Sequence, residues 1–380
     1  MKIGIISDLF YPHLGGGEVY SLTIEKEFLK HGHEVIHLTS QIKGTKEKEI
    51  FNGIEIHRVP IPFKDDFMKG RFFFPFLNFS KMDVLKDVDI LQTITYPAAV
   101  TGWAFARLLG KPNVLFCHEF FRKYWKYMRS GFLQKRLYPI VENFIGHIDY
   151  DWAITPSIYS KKSLSDAGFD SKKITVAYHG IDSRFKPKIK SNLRQKYGLE
   201  GVKLFGFIGR LRDFGQKGVD YLLEATKIVV QEIPDAKLVL AGSGFEYVKP
   251  IIKKLGIEKS VIYLGRISDS MVPKFYSMLD VFAGASIAEG FGFVYAEASR
   301  CGTPVIATNS SSIPEIILNG KTGILVPIRN SKALAEAIIK LLNDQQLSRK
   351  MGKNGAQYTK KFTWENSVKQ HLEVYEKFVK

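Results

Sequence analysis

The chain has 380 residues, 45% of them hydrophobic, which is enough to fill two domain cores rather than one. Its opening MKIGIISDLF has one basic residue and a short apolar run, too little for a signal peptide or the ~20 apolar residues of a membrane span, so the cytoplasm is the expected compartment. The distant cysteines Cys117 and Cys301 adjoin apolar segments and read as buried thiols, while a net charge of +17 favours an acidic partner: nucleic acid, an anionic membrane or a phosphorylated ligand.

In chain order, KIGII (residues 2 to 6) has the β-branched character of a strand, EVYSLTIEKEFLKHG that of an amphipathic helix, and EVIHLTS that of a second strand. This βαβ rhythm predicts a parallel sheet. It continues through DILQTIT, the helical YPAAVTGWAFARLLG, PNVLFC, WAIT and KITVAY, then breaks after His179 into the polar, basic GIDSRFKPKIKSNLRQKYGLEG. That break divides an N-terminal domain, 1–182, from a C-terminal one, 183–362. The second series runs LFGFIG, a helix from Gly218 to about Ile233, KLVLAG, VIYLG, DVFAGA, a helix from about Phe293 to Arg300 closed by Gly302, PVIAT and GILVP. From Ser331 onward the periodicity is helical, with no strand candidate. The expected fold is α/β, with two Rossmann-like, doubly wound domains.

Ligands of doubly wound sheets collect at the carboxyl ends of the strands, and this rule sorts the candidates. Asp87-Val-Asp89 and Asp149-Tyr-Asp151 have the D-x-D spacing of a metal-nucleotide site, but both precede strands and are therefore at the wrong end. Gly15-Gly16-Gly17-Glu18 follows the first strand and opens a helix, where backbone N–H groups can cradle an anion; a flexible helix entry is the alternative. Arg210 ends the first strand of the second domain, and Lys217-Gly218 begins its next helix, so two cations point to a diphosphate unless both are merely solvated. Gly242-Ser-Gly244 is half of a dinucleotide fingerprint, equally explained by a tight strand-helix turn. His118 directly follows a strand and can be structural or functional.

The stretch EGFGFVYAE, residues 289 to 297, holds Glu289 on a loop, a Gly290-Phe291-Gly292 turn, and Glu297 on the helix that follows. Eight residues span about 12 Å when helical, a separation suited to the two ends of an elongated ligand. One carboxylate can accept hydrogen bonds from a ribose diol and the other from a hexose, with the N–H groups of the turn facing phosphate. Two solvated glutamates are the plainer alternative, weakened by apolar Val294, Ala296 and Ala298 between them.

These residues resemble the retaining glycosyltransferases of GT-B fold that include glycogen and sucrose synthases and bacterial phosphatidylinositol mannosyltransferases. GGGE, FIGRL followed by QKG, LVLAGSG, EGFGFVYAE and CGTPVIATN occur in that family's order over nearly the whole chain. The resemblance implies two Rossmann-like domains facing a central cleft, the first on the acceptor side, with a last helix, 363–380, packing back on the first domain. It implies that Glu289 binds the donor sugar's hydroxyls, Glu297 the ribose, and Arg210 and Lys217 the diphosphate. Gly16 and Gly17 would meet the phosphates, Phe291, Gly292 and Phe293 would lie close to the hexose, Arg266 and Ile267 beside the base, and His118 near the donor sugar. The donor would be a UDP-, GDP- or ADP-hexose, with no metal or other cofactor required. His179-Gly180-Ile181-Asp182 departs from the family's usual Asn-Gly-Val-Asp.

Hexose transfer with retention is the preferred reading; an epimerase, a phosphorylase, or a non-enzymatic protein binding nucleic acid or a sugar nucleotide are the competing ones. Nucleic acid explains the basic charge but not the paired glutamates. Residues 120 to 136, FFRKYWKYMRSGFLQKR, and 69 to 81, KGRFFFPFLNFSK, interleave basic and aromatic residues in the first domain. They read either as ordinary core or as a surface that docks on the anionic inner face of a membrane, through Arg122, Lys123, Lys126 and Arg129, and brings a lipid-linked acceptor to the site.

Overall fold

The computed structural model describes residues 1–13, 15–62, 73–128, 131–187, 189 and 191–379. The chain forms two compact units, the first made of Met1–Arg122, Leu137–Gly180 and Phe362–Lys380, the second of Lys123–Arg136 and Ile181–Lys361. The break thus follows Gly180 rather than Asp182. Most of the basic-aromatic run assigned from sequence to the first domain belongs to the second.

The first unit holds strands β1 (Lys2–Ile6), β2 (Glu34–Gln41), β3 (Lys48–Phe51), β4 (Ile54–Pro60), β5 (Ile90–Ile94), β6 (Asn113–Phe116), β7 (Trp152–Thr155) and β8 (Ile174–Val176). They lie in the order β3-β4-β2-β1-β5-β6-β7-β8, all parallel except β3 on β4. Ile3, Ile5 and Ile6 of β1 are fully buried, as expected of a central parallel strand covered on both faces. The β3–β4 hairpin is absent from the sequence expectation, although Asn52-Gly53, both at positive φ, is a strong hairpin signal.

The second unit holds β9 (Leu204–Arg210), β10 (Lys237–Ser243), β11 (Val261–Tyr263), β12 (Val281–Ala283), β13 (Val305–Thr308) and β14 (Gly323–Val326), in the parallel order β11-β10-β9-β12-β13-β14. The strand order reverses between β1 and β5 in one sheet and between β9 and β12 in the other. Such reversals part the neighbouring loops and open a crevice at the carboxyl ends of the strands.

At the opposite ends of the strands, aspartates close the sheets. Asp89, just before β5, accepts the N–H of Lys2 in β1 at 2.7 Å; Asp151, before β7, accepts that of Asn113 in β6 at 2.8 Å; Asp280, before β12, accepts that of Leu204 in β9 at 2.7 Å. Asp149 is paired with Arg107 at 2.6 Å. Three of the four D-x-D carboxylates therefore satisfy backbone or guanidinium donors at the strand starts, a sufficient structural reason for the spacing.

The last helix, Trp364–Tyr375, packs in the first unit against the helix Gly16–Lys30. Tyr20 donates its hydroxyl to His371 Nε2 at 2.7 Å, and Tyr375 donates to Gln92. Gly180 abuts the backbone of Trp364, where a Cβ would approach its nitrogen to 2.2 Å. The Tyr20 ring is stacked on Phe116 at 4.1 Å, edge-on to His118 at 5.2 Å and 4.6 Å from His179. Burial pushes the His118 and His371 imidazoles down to about 4 and His179 well below the usual histidine range.

The native unit therefore keeps three imidazoles neutral that the unfolded chain protonates near pH 6.5. Because the unfolded state binds more protons, stability should fall as pH drops below about 6.5, and continue to fall toward about 4. Urea midpoints measured between about pH 7.5 and pH 5 should decline. His371→Phe should lower the midpoint at neutral pH but flatten its slope; an unchanged slope contradicts the assignment of His371 to this acid sensitivity.

Candidate active site

The two reversal points collect the chemistry, each within its own unit. In the second unit β9 ends at Arg210, and the next helix, Val219–Glu232, starts after Gly218. Gly218 has φ 60° and lies against the carbonyl of Ala285, which a Cβ would meet at 2.3 Å, so only glycine fits without a shift. Its neighbour Lys217 reaches Glu289, with Nζ 2.8 and 2.9 Å from the two carboxylate oxygens. Arg210 turns instead to Asp213, at 3.4 Å, and its side chain is largely exposed. The two cations paired from sequence thus have different partners.

Glu289 is 6% exposed and sits in a loop fixed from both sides. On the β9 side, Ile287 N–H donates to Gln216 O at 2.7 Å and Gln216 Nε2 donates to Ala288 O at 3.3 Å. On the β13 side, Glu289 N–H donates to Ser311 Oγ at 2.8 Å, while Ser312 Oγ is shared between the carbonyls of Glu289, at 2.9 Å, and Phe291, at 3.0 Å. Ser311 has φ 46°, and its own N–H donates to Tyr124 Oη at 3.0 Å. Tyr124 comes from the segment Lys123–Arg136, distant in sequence but part of this unit.

The helix Phe293–Arg300 has the bounds expected from sequence; Gly292, at φ 98°, caps its start, and Gly302 follows its end at φ 82°. Phe291 and Phe293 meet edge-on at 5.4 Å on either side of that glycine. Glu297 does not join the Lys217–Glu289 pair. Its Oε2 accepts the Tyr276 hydroxyl at 2.8 Å. Burial lifts its carboxyl to about 7 against the pull of Tyr276 and Arg184. Arg266 and Ile267 lie on the loop after β11, Arg266 exposed and Ile267 half-buried, and Gly265 O accepts the N–H of Gly242 at 2.8 Å. A Cβ on Gly242 would collide with Gly209 O at 1.9 Å, so the partial fingerprint is a close strand approach.

In the first unit, Gly15 caps the helix Gly16–Lys30, whose first internal bond runs from Val19 N–H to Gly15 O. The N–H groups of Gly16 and Gly17 fall outside the helical ladder. Glu18, however, reaches back to accept the N–H of Gly15 at 2.8 Å and lies 3.6 Å from His13 Nδ1. Its burial alone would raise the carboxyl, but His13 and the backbone donors prevail and hold it below the usual range. A negative charge thus occupies one edge of the expected anion cradle. Gly17 packs against His118, a Cβ there coming within 3.2 Å of His118 Nε2. That nitrogen is shielded from solvent and makes no hydrogen bond among the described residues.

Tyr124, Tyr276, Ser311 and Ser312 escape the sequence reading. The serines follow β13 at a strand's carboxyl end, where the rule applied above would have placed them. The tyrosines carry no such signal, since each reaches its partner through tertiary packing.

Residues 189–358 match the family model Glycosyl transferases group 1, and residues 14–185 match Glycosyltransferase Family 4. The alpha-monoglucosyldiacylglycerol synthase of Streptococcus pneumoniae is 30% identical over 368 residues, covering 92% of this chain and 82% of that protein. The chain belongs to this glycosyltransferase family. It is a retaining transferase of GT-B fold that moves a hexose from a nucleotide sugar to an acceptor, rather than an epimerase or phosphorylase. The N-acetyl-alpha-D-glucosaminyl L-malate synthase of Bacillus anthracis is 27% identical, with 99% of this chain and 96% of that protein covered. Sucrose-phosphate synthase of Thermosynechococcus elongatus shares the fold, with a TM-score of 0.86 at 22% identity over 99% of this chain and 98% of that one.

The raised Glu297 carboxyl has a measurable consequence in this glycosyltransferase. A proton held to about pH 7 in the native state is released near pH 4.5 on unfolding, so the contribution of this one group falls as pH rises between these values and levels off above, opposing the larger contribution of the three buried histidines. Glu297→Gln should remove that contribution and melt above the wild type at pH 8 but not at pH 5, conditions on the two sides of about pH 7. Equal pH profiles in thermal unfolding would contradict the shift.

Proposed function

We propose that the hexose donor is held by the second unit through the two glutamates and their partners, and that transfer needs no metal ion. The observation that carries this reading is the loop of Glu289. A buried carboxylate bound to Lys217 sits directly before a glycine-capped helix, at the point where the strand order reverses. Glu289 accepts hydrogen bonds from the hexose hydroxyls. Lys217 and Arg210 neutralise the diphosphate, aided by the first N–H groups of the helix Phe293–Arg300. Glu297 in its ionised form accepts from the ribose hydroxyls, with Tyr276 fixing its orientation. Arg266 and Ile267 flank the base, which can be that of a UDP-, GDP- or ADP-hexose. On the first unit, Gly16 and Gly17 meet the phosphates, and His118, neutral at pH 7, hydrogen-bonds a sugar hydroxyl without adding charge.

The acceptor hydroxyl oxygen forms its bond to the anomeric carbon on the face from which the phosphate leaves. As the carbon–oxygen bond to the diphosphate breaks, the hydroxyl proton passes to the departing phosphate oxygen, so configuration is retained. Neither glutamate becomes a nucleophile. The acceptor is lipid-linked in this reading, supported by the lipid named in the pneumococcal relative and by the basic charge of the chain.

Lys217→Ala and Arg210→Ala should reduce kcat strongly, by about 100-fold for a lost charge-stabilising group, because charge grows on the diphosphate as the bond breaks. Glu297→Ala should mainly raise KM for the donor, since ribose recognition is common to ground and transition states. Unchanged donor kinetics in all three variants would refute the site. Turnover should persist in EDTA; loss of activity that Mg²⁺ or Mn²⁺ restores would refute metal independence.

A further inference from the structure

The helix Phe132–Gly146 is amphipathic in the opposite sense to a core helix. Glu142, its only acidic residue, is fully buried, accepting the N–H groups of Phe121 at 2.8 Å and Arg122 at 3.0 Å and the Tyr96 hydroxyl at 3.1 Å. Ile145 and Gly146 are buried beside it. The apolar residues Leu133, Leu137, Ile140 and Phe144 recur at intervals of four, three and four, which aligns them on one helix face, and they are 65%, 47%, 61% and 59% exposed. Phe132 and Val141 widen this stripe.

A second apolar surface lies on the short helix Phe74–Leu77 and its flanks, where Phe73, Phe76 and Phe79 are exposed. Both elements abut the start of the helix Ala98–Leu109: Thr101 Oγ1 donates to Pro75 O, and Tyr96, just before that helix, packs edge-on against Tyr138 at 6.5 Å.

We propose that the outward face of the helix Phe132–Gly146 is a peripheral docking surface for an anionic lipid bilayer. The inference rests on the reading of a lipid-linked acceptor and gives it a physical location. Exposed apolar surface of this extent marks an interaction site on a monomer, and its surroundings select the occupant. Lys135 and Arg136 lie on the same helix, exposed Lys123 and Lys126 precede it, and the helix's one carboxylate points inward. An apolar stripe with a cationic border matches acyl chains beneath anionic headgroups. A second copy of the chain is disfavoured, because each brings a net charge of +17 and the same basic border.

The geometry also corrects the surface expected from sequence. Phe120, Phe121, Tyr124, Trp125 and Met128 are buried and belong to the core, whereas Phe132 at the far end of the same run is exposed. Arg122 is committed to Asn143 and to Asp166 O. Arg129 and residues 69 to 72 lie outside the described residues.

The test is co-sedimentation of the full chain, without donor or acceptor, with phosphatidylglycerol-containing and with purely phosphatidylcholine vesicles. Wild type should bind the anionic vesicles alone. The triple variant Leu137→Ser/Ile140→Ser/Phe144→Ser should bind them about tenfold or more weakly, and Lys135→Ser/Arg136→Ser should bind weakly and lose its response to salt. Both variants should keep the wild-type melting temperature and the wild-type thermal shift with donor. Wild type that ignores anionic vesicles, or a triple variant that binds as well as wild type, overturns the proposal. A concentration-dependent dimer abolished by the triple variant, with no vesicle binding, overturns it in favour of a second copy. Donor-induced thermal shift in the same samples separates these failures from failure of the donor site.

Discussion

A carboxylate taken out of water must be paired, and the candidate donor site is organised around that demand at Glu289. Left alone, a buried charge of this kind costs several kcal/mol, and removing one partner of a buried pair typically costs about 3–5 kcal/mol. Lys217 supplies the opposite charge, and the neighbouring Gly218 lets the chain turn tightly under the Ala285 carbonyl. The loop that carries Glu289 has its peptide groups tied to residues following β9 and β13, the strands on either side of β12. Three consecutive places in the sheet thereby share one rigid arrangement. This stiffness is useful to a transferase, since charges that need not reorganise stabilise a departing diphosphate more effectively.

The two ends of each sheet divide the labour between stability and chemistry. At the strand starts, Asp89, Asp151 and Asp280 use their carboxylates to satisfy the first N–H of a neighbouring strand. At the strand finishes stand the glycines, serines and charged residues that the proposed donor site uses. Identical carboxylate chemistry therefore means different things at the two ends, and position along the strand decides which.

Much of this was legible in the sequence. Most strands, the bounds of the helix Phe293–Arg300, the strand-end position of Arg210 and the positions of Lys217, His118 and Glu289 after strands followed from periodicity and from the strand-end rule, because these are local properties of the chain. The β3–β4 hairpin was missed despite its Asn52-Gly53 turn. What local pattern could not provide was pairing over distance: Lys217 with Glu289, Tyr276 with Glu297, and Tyr124 with Ser311. Nor could periodicity orient the helix Phe132–Gly146. An apolar stripe at helical spacing ordinarily faces a core, and only the burial of Glu142 on the other side reveals that this one is turned outward.

The chain passes from one unit to the other after Arg122, Arg136, Gly180 and Lys361, so neither unit is a contiguous stretch of the gene. A fragment cut at the polar linker would retain every strand of the second sheet yet lack Tyr124, leaving the Ser311 amide without the hydroxyl that holds it at positive φ. Recombination at that linker would pair a donor loop with a tyrosine selected beside a different one. The inserted segment therefore ties the first half of the chain to the second: a substitution at Tyr124 reaches Ser311 and, through its hydroxyl, the amide of Glu289.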